Sequence, residues 1–123
     1  MKTNQMYVFI GKQDGIPKLF TAAVEQEVQA KNIIKDCSNS SVNIDYVLVY
    51  ITEEMDPEKR KGLFVCLEDR TTDRKLYPIG TVFQNEEAAE KWVSESPDDV
   101  ERKFEEVEIM RPYKALHSIL QNS

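Results

Sequence analysis

The sequence contains few of the residues on which metal and redox chemistry depends. It has one His and two Cys in 123 residues. Structural zinc sites take four Cys or His ligands, so this composition excludes most zinc modules. Basic residues are also in the minority, with 16 Lys and Arg against 22 Asp and Glu and a net charge of -6. General nucleic-acid and anionic-membrane binders need a basic surface, which argues against both functions.

Long hydrophobic runs are missing as well. No stretch approaches the ~18 apolar residues of a membrane-spanning helix. The apolar run at residues 6–10 is shorter than the 7–15 residues of a signal-peptide core. Cys37 and Cys66 lie in no recognisable motif, and without an export signal they are expected to be reduced, partly buried thiols. These features predict a cytoplasmic protein.

Catalytic motifs are not evident. The four glycines are isolated and form neither a phosphate-binding loop nor a dinucleotide fingerprint. Any Ser-His or Cys-His device would have to use His117, and neither cysteine has the sequence context of a nucleophile. The interpretation is a protein with no catalytic residues, no metal site and no cofactor.

The hydrophobic patterning that is present predicts a single domain over residues 1–123. Strands are predicted at residues 6–10, 16–20, 42–51, 63–67, 76–83 and 104–110. Helices are predicted at 21–36, capped by Thr21, at 85–94, capped by Asn85, and in an amphipathic C-terminal segment at 112–123 that begins with Pro112. Polar hairpin loops are expected at residues 11–16 and 68–75. The predicted fold is α+β: a mainly antiparallel sheet of five to six strands, two helices on one face and a short C-terminal helix.

The order strand, strand, helix, strand occurs twice, which suggests a ββαβ duplication with halves at residues 6–51 and 63–110. Residue-level support is poor, because aligning Ile33 and Ile34 with Trp92 and Val93 breaks the register of the preceding strands.

Charge placement is the most informative feature. Residues 86–108 contain ten acids and three bases, a net charge of −7, while the rest of the chain carries +1. The simplest interpretation is a solvated surface that keeps the protein soluble. The functional interpretation is a patch that docks on a basic partner surface, one that ordinarily binds nucleic acid. The predicted partner-binding acids are Glu95, Asp98, Asp99, Glu101, Glu105, Glu106 and Glu108.

Three functions follow from these observations. The first is a small acidic inhibitor or binding protein, which in size, acidity and lack of motifs resembles phage and mobile-element accessory proteins. The second is a self-associating or structural module, a homodimer held by the C-terminal stripe of Tyr113, Leu116, Ile119 and Leu120. The third is a small ligand-binding protein or enzyme that uses carboxylates and Tyr in a pocket between sheet and helices. The first is preferred, with no direct contact to nucleic acid or membrane.

Overall fold

The computed structural model of the chain describes residues 5–13, 16–39, 43–51, 61–69 and 77–121. These residues form six strands and three helices. In chain order they are β1 (Gln5–Gln13), β2 (Ile16–Val24), α1 (Glu27–Asn39), β3 (Ile44–Ile51), β4 (Leu63–Asp69), β5 (Tyr77–Phe83), α2 (Glu86–Ser94), β6 (Glu101–Ile109) and α3 (Pro112–Gln121).

The six strands close into a barrel in the order β1-β2-β6-β4-β5-β3. The predicted open, mainly antiparallel sheet with two helices on one face is therefore wrong. The difference arises because the sheet of each half would leave two edges with unpaired backbone N–H and C=O groups. Each edge of one half pairs with an edge of the other, and both of these pairs are parallel.

Each half of the chain forms its own antiparallel three-stranded sheet. In residues 5–51, β1 lies between β2 and β3. In residues 63–109, β4 lies between β5 and β6. Two short parallel contacts join the halves: the β2–β6 seam pairs Ala22 with Glu108, and the β3–β5 seam pairs Tyr50 with Thr81. Both expected hairpins, β1–β2 and β4–β5, are confirmed, although their loop tips lie outside the described residues.

Exchanging the two halves reproduces every strand pairing. The registers also agree in detail, because each hairpin shifts register once, after Val8 in the first half and after Val65 in the second. An edge-to-face aromatic pair occupies the same place in both halves. The ring centroids are 5.8 Å apart for Tyr7 and Tyr46 and 5.5 Å apart for Phe64 and Phe104. The duplication itself stays a prediction, because pairing geometry does not test common ancestry.

Two hydrophobic clusters follow from strand alternation. The inner cluster fills the barrel, and each half contributes six buried residues. These are Met6, Val8, Leu19, Ala23, Val49 and Ile51 from the first half, and Leu63, Val65, Leu67, Val82, Val107 and Ile109 from the second. The outer cluster lies between the first half of the barrel and helices α1 and α3, where Phe9, Ile33 and Ile119 are almost fully buried.

The boundary between β2 and α1 differs from the sequence prediction. Residues 21–24 continue the strand, and α1 begins only at Glu27. Ala22, Ala23 and Val24 are fully buried, so pairing and packing outweigh the helix propensity of the two alanines. The predicted start of α2 after Asn85 and of α3 at Pro112 is confirmed. None of the helices in the described residues is long and apolar enough to cross a bilayer.

Candidate functional site: the acidic connection between α2 and β6

The seven acids predicted to bind a partner are distributed over several places in the barrel. Four of them are exposed around the connection from α2 to β6: Glu95, Asp98, Asp99 and Glu101. We call these four the acidic connection. The other three, Glu105, Glu106 and Glu108, lie further along β6.

Strand alternation separates the acids of β6 onto two faces. Glu101 and Glu105 lie on the face that, further along the strand, turns Val107 into the barrel interior. Glu106 and Glu108 lie on the outer face. A continuous acidic strip from residue 101 to residue 108 is therefore not present, and of the seven predicted acids only the four of the acidic connection are exposed near one another in the chain.

Local hydrogen bonds fix the helix that leads into the acidic connection. The Glu87 N–H donates to the Asn85 side-chain oxygen at 2.9 Å, which caps the first turn of α2. At the other end, the Glu95 N–H donates to the Lys91 carbonyl at 3.1 Å, and the Ser94 hydroxyl donates to the same carbonyl at 2.7 Å. The Val100 N–H donates to the Pro97 carbonyl at 3.1 Å, which closes a turn before β6 begins.

Arg102 ties the connection to the barrel wall. Its Nε lies 2.7 Å from a carboxylate oxygen of Glu68 on β4, and the Glu68 side chain is 1% exposed. A second guanidinium nitrogen donates to the Trp92 carbonyl at 3.0 Å. The guanidinium carbon also lies 4.4 Å from the centroid of the Trp92 ring. One side chain thus holds the last turn of α2, the start of β6 and β4 in one arrangement.

The contacts of Arg102 with Glu68 and Trp92, called the Arg102 clamp below, affect the charge balance around the acidic connection. Of the three bases in residues 86–108, Arg102 is paired with Glu68. Lys103 lies 3.0 Å from Glu105. Neither pairing involves the acidic connection, so these two bases are matched with other acids. The third base, Lys91, lies on α2 one turn before Glu95. The pattern of paired bases could not be read from the linear sequence, which shows Arg102 only as one base among acids.

The two thiols are free and buried, as the sequence predicted. Burial raises the pKa of Cys66 from 9.0 to about 12, although the nearby Arg102 lowers it in part. Burial also raises the pKa of Cys37 above 9.0, and Asp36 adds to the effect. Both thiols therefore remain protonated near neutral pH, which makes them poor nucleophiles. His117 is exposed on α3.

Most of the predicted self-association stripe is covered within the same chain. Ile119 is fully buried in the outer cluster, and Leu116 and Leu120 are partly buried against it. Tyr113 is the exception, since it is 81% exposed.

Among the tyrosines of the strands, Tyr7 is buried beside Tyr46, whereas Tyr50 is 46% exposed. Tyr46 therefore belongs to the packing beneath α1, and Tyr50 is at its exposed rim.

A cleft of about 540 Å³ opens at the other end of β6, between the start of α1 and the start of α3. Its lining is mostly polar and carries charges of both signs. The lining residues are Glu25, Gln26, Gln29, Glu108, Ile109, Met110, Arg111, Pro112 and Lys114.

Within the described ranges, no group of three or more His, Cys, Asp and Glu side chains is placed to hold a metal ion. No protein-family model, curated protein or solved structure matches this chain. The geometry of its own residues is therefore the basis for the functional proposal.

Proposed function

We propose that the protein is a small acidic binding protein, an inhibitor that docks its acidic connection on the basic surface of a partner protein. The partner surface is one that ordinarily contacts nucleic-acid phosphates, as in the accessory proteins of phages and mobile elements. The location proposed is the cytoplasm, where the two free thiols would stay reduced. The protein itself is proposed to be non-catalytic.

The observation that carries the proposal is the arrangement of charges around Arg102. Two of the three bases in residues 86–108, Arg102 and Lys103, are paired with acids outside the acidic connection, and the third, Lys91, lies one helical turn before Glu95. Four of the ten acids of residues 86–108 are thus exposed around one hydrogen-bonded turn, and neither Arg102 nor Lys103 is paired with them. A preorganised charged surface of this kind raises association rates and selects partners of opposite charge.

The test is a variant in which the four carboxylates of the acidic connection are replaced by amides of the same size. Arg102 and Glu68 are left unchanged, so their ion pair still holds the connection against β4. The four substitutions are Glu95→Gln, Asp98→Asn, Asp99→Asn and Glu101→Gln. Immobilised wild-type protein captures partners from a lysate, and partners that elute between low and moderate salt are identified. Binding of the purified partner to both proteins is then measured by calorimetry.

The matched control removes four exposed acids from other surfaces, so that both variants have the same net charge. Its substitutions are Asp36→Asn, Glu87→Gln, Glu90→Gln and Glu106→Gln. At roughly 0.5 kcal/mol for each exposed charge, the connection variant should bind about 30-fold more weakly. The control should lose only the small part that depends on net charge. Equal affinity of the two variants would show that the connection is not the interface.

The cleft favours one alternative function, the binding of a small ligand. Its volume of about 540 Å³ falls in the range of small-molecule sites. Glu25 and Glu108 supply carboxylates, while Arg111 and Lys114 supply cations, so a ligand with charges of both signs would fit the lining. A thermal-shift screen of zwitterionic metabolites would test this alternative, and a stabilising ligand should lose its effect in the Arg111→Gln variant.

A further inference from the structure

The two halves of the barrel are separate in sequence but share one interior. Residues 5–51 make every strand of the first sheet, and residues 63–109 make every strand of the second. Residues 52–62 are the connection between them along the chain. The chain therefore passes only once from the first half to the second. This arrangement allows domain swapping, in which one half of a molecule is replaced by the same half of a second molecule.

The contacts between the halves are of two kinds. The backbone contributes little, since each seam contains only two paired positions in register. The barrel interior contributes most, because the twelve buried residues of the inner cluster come equally from the two halves. Neither half can cover these apolar side chains with its own single helix, because α1 and α2 lie on the outside of the barrel. Each half therefore needs a complementary half to bury its interior side chains. That complementary half does not have to belong to the same chain.

We propose that a second copy of this chain can supply the missing half, so that residues 5–51 of each copy close a barrel with residues 63–109 of the other. The exchanged dimer contains the same strand pairs and the same two interiors as two separate molecules. The two states differ in whether the two halves of each barrel belong to one copy of the chain or to two copies. This self-association does not involve Tyr113 or the acidic connection, and it is independent of the proposed function.

Mass action sets the concentration at which exchange becomes visible. Because both halves belong to one chain, each half meets its own partner half at an effective concentration of about 1 mM. At roughly 10 µM protein, about one exchanged dimer is then expected for every hundred monomers. Refolding at about 1 mM should produce comparable amounts of the two forms.

The β3–β5 seam provides a specific probe of exchange in the chain with its full linker. Tyr50→Cys and Thr81→Cys are prepared as two separate single variants, since these positions are paired across the seam and lie on its outer face. When both variants are monomers, the two new thiols belong to different molecules and are not neighbours. In an exchanged heterodimer they are neighbours, at a spacing that permits a disulfide. The variants are mixed, refolded together under reducing conditions at about 1 mM, and then oxidised.

The control mixture combines Tyr50→Cys with Asp98→Cys, an exposed position at the opposite end of the barrel. We expect the seam mixture to yield at least ten times more disulfide-linked heterodimer than the control mixture. Cys37 and Cys66 are buried and interfere little while the protein is folded. Equal yields from the two mixtures, or no linked dimer from either, would overturn the proposal.

Deleting residues 52–60 provides a second test. β3 and β4 are separated by β5 in the barrel, a distance of about 10 Å between strand axes. Lys61 and Gly62 alone span about 11 Å when fully extended, which leaves no length for passing over the end of β5. The deletion variant should therefore be a folded dimer of twice the monomer mass. A folded monomer would refute the exchange, and if the variant fails to fold the disulfide mixtures still decide.

Discussion

Replacing Arg102 with Met should destabilise the protein strongly, although Arg102 is one of many charged residues in a polar chain. The guanidinium lies 2.7 Å from the Glu68 carboxylate, and its side chain is only 16% exposed. Met retains much of the length and apolar volume of the Arg stem. The substitution therefore removes the charge and the hydrogen bonds while it leaves most of the packing against Trp92.

The expected loss is far larger than that of a surface ion pair. Removing one partner of a buried pair costs about 3–5 kcal/mol, because the buried Glu68 carboxylate then loses the guanidinium that pairs with it. Loss of the contact with the Trp92 ring adds roughly 0.5–2 kcal/mol. Domains of this size have unfolding free energies of about 5–15 kcal/mol, so the variant should lose a large fraction of its stability.

Urea unfolding gives the measurement, with circular dichroism as one probe and fluorescence as the other. Trp92 is the single tryptophan of the chain and contacts Arg102, so its emission reports the clamp directly. The double variant Glu68→Leu/Arg102→Met removes both charges and should recover to within about 2 kcal/mol of the wild type. The coupling between the two sites is then obtained from the complete double-mutant cycle.

Two results would contradict this reasoning. A loss below about 1 kcal/mol in Arg102→Met would mean that the pair behaves like a solvent-exposed one. Additive losses in the double variant would mean that Glu68 and Arg102 do not depend on each other. Tyr113→Ala serves as a surface control, because that side chain is 81% exposed and far less is expected of it.

Two further predictions concern the buried residues of the barrel and its helices. Because burial raises the pKa of Cys66 from 9.0 to about 12, the stability contributed by its neutral thiol is complete below pH 9 and is lost as the pH rises toward 12. The urea concentration at the unfolding midpoint should therefore be lower at pH 10.5 than at pH 8. Alkylation of the thiol at pH 8 should be slow until the protein unfolds. Ile119→Ala should cost about 2–5 kcal/mol in unfolding free energy, measured by the same urea titration, because this side chain of α3 is fully buried in the outer cluster; a cost as small as that of Tyr113→Ala would show that α3 does not pack as described.

Local features of the structure were predictable wherever a single element carries its own signal. Asn85 before two glutamates marks the start of α2, and its side chain does accept the Glu87 N–H. Pro112 begins α3, as its fixed φ and missing N–H allow at the first position of a helix. The two hairpins were also predicted, because adjacent strands with a short polar loop between them pair with each other more readily than with distant segments.

The candidate site shows the limits of a linear charge pattern. The sequence located the acid-rich region correctly but treated Glu101, Glu105, Glu106 and Glu108 as one surface. A strand turns alternate residues to opposite faces, so once residues 101–109 form β6 these acids separate. The predicted strand at residues 104–110 already contained Glu105, Glu106 and Glu108, so alternation within it separates Glu105 from the other two. Only the placement of Glu101 required the earlier start of β6 that the structure shows.

By itself, the sequence determined the order of the elements, the starts of α2 and α3 and the concentration of negative charge in one segment, whereas the predicted Thr21 cap of α1 is wrong because Thr21 lies in β2. Each of these depends on residues within a few positions of one another. Only the tertiary structure decided that the sheet closes, because the parallel seams join Ala22 to Glu108 and Tyr50 to Thr81, residues far apart in the chain. The same long-range pairing brought Glu68 against Arg102, so that Arg102 is paired with an acid of β4 and not with the acidic connection beside it. Hydrophobic periodicity specifies which face of a strand is buried, but the identity of the neighbouring strand depends on how two half-sheets satisfy their open edges together.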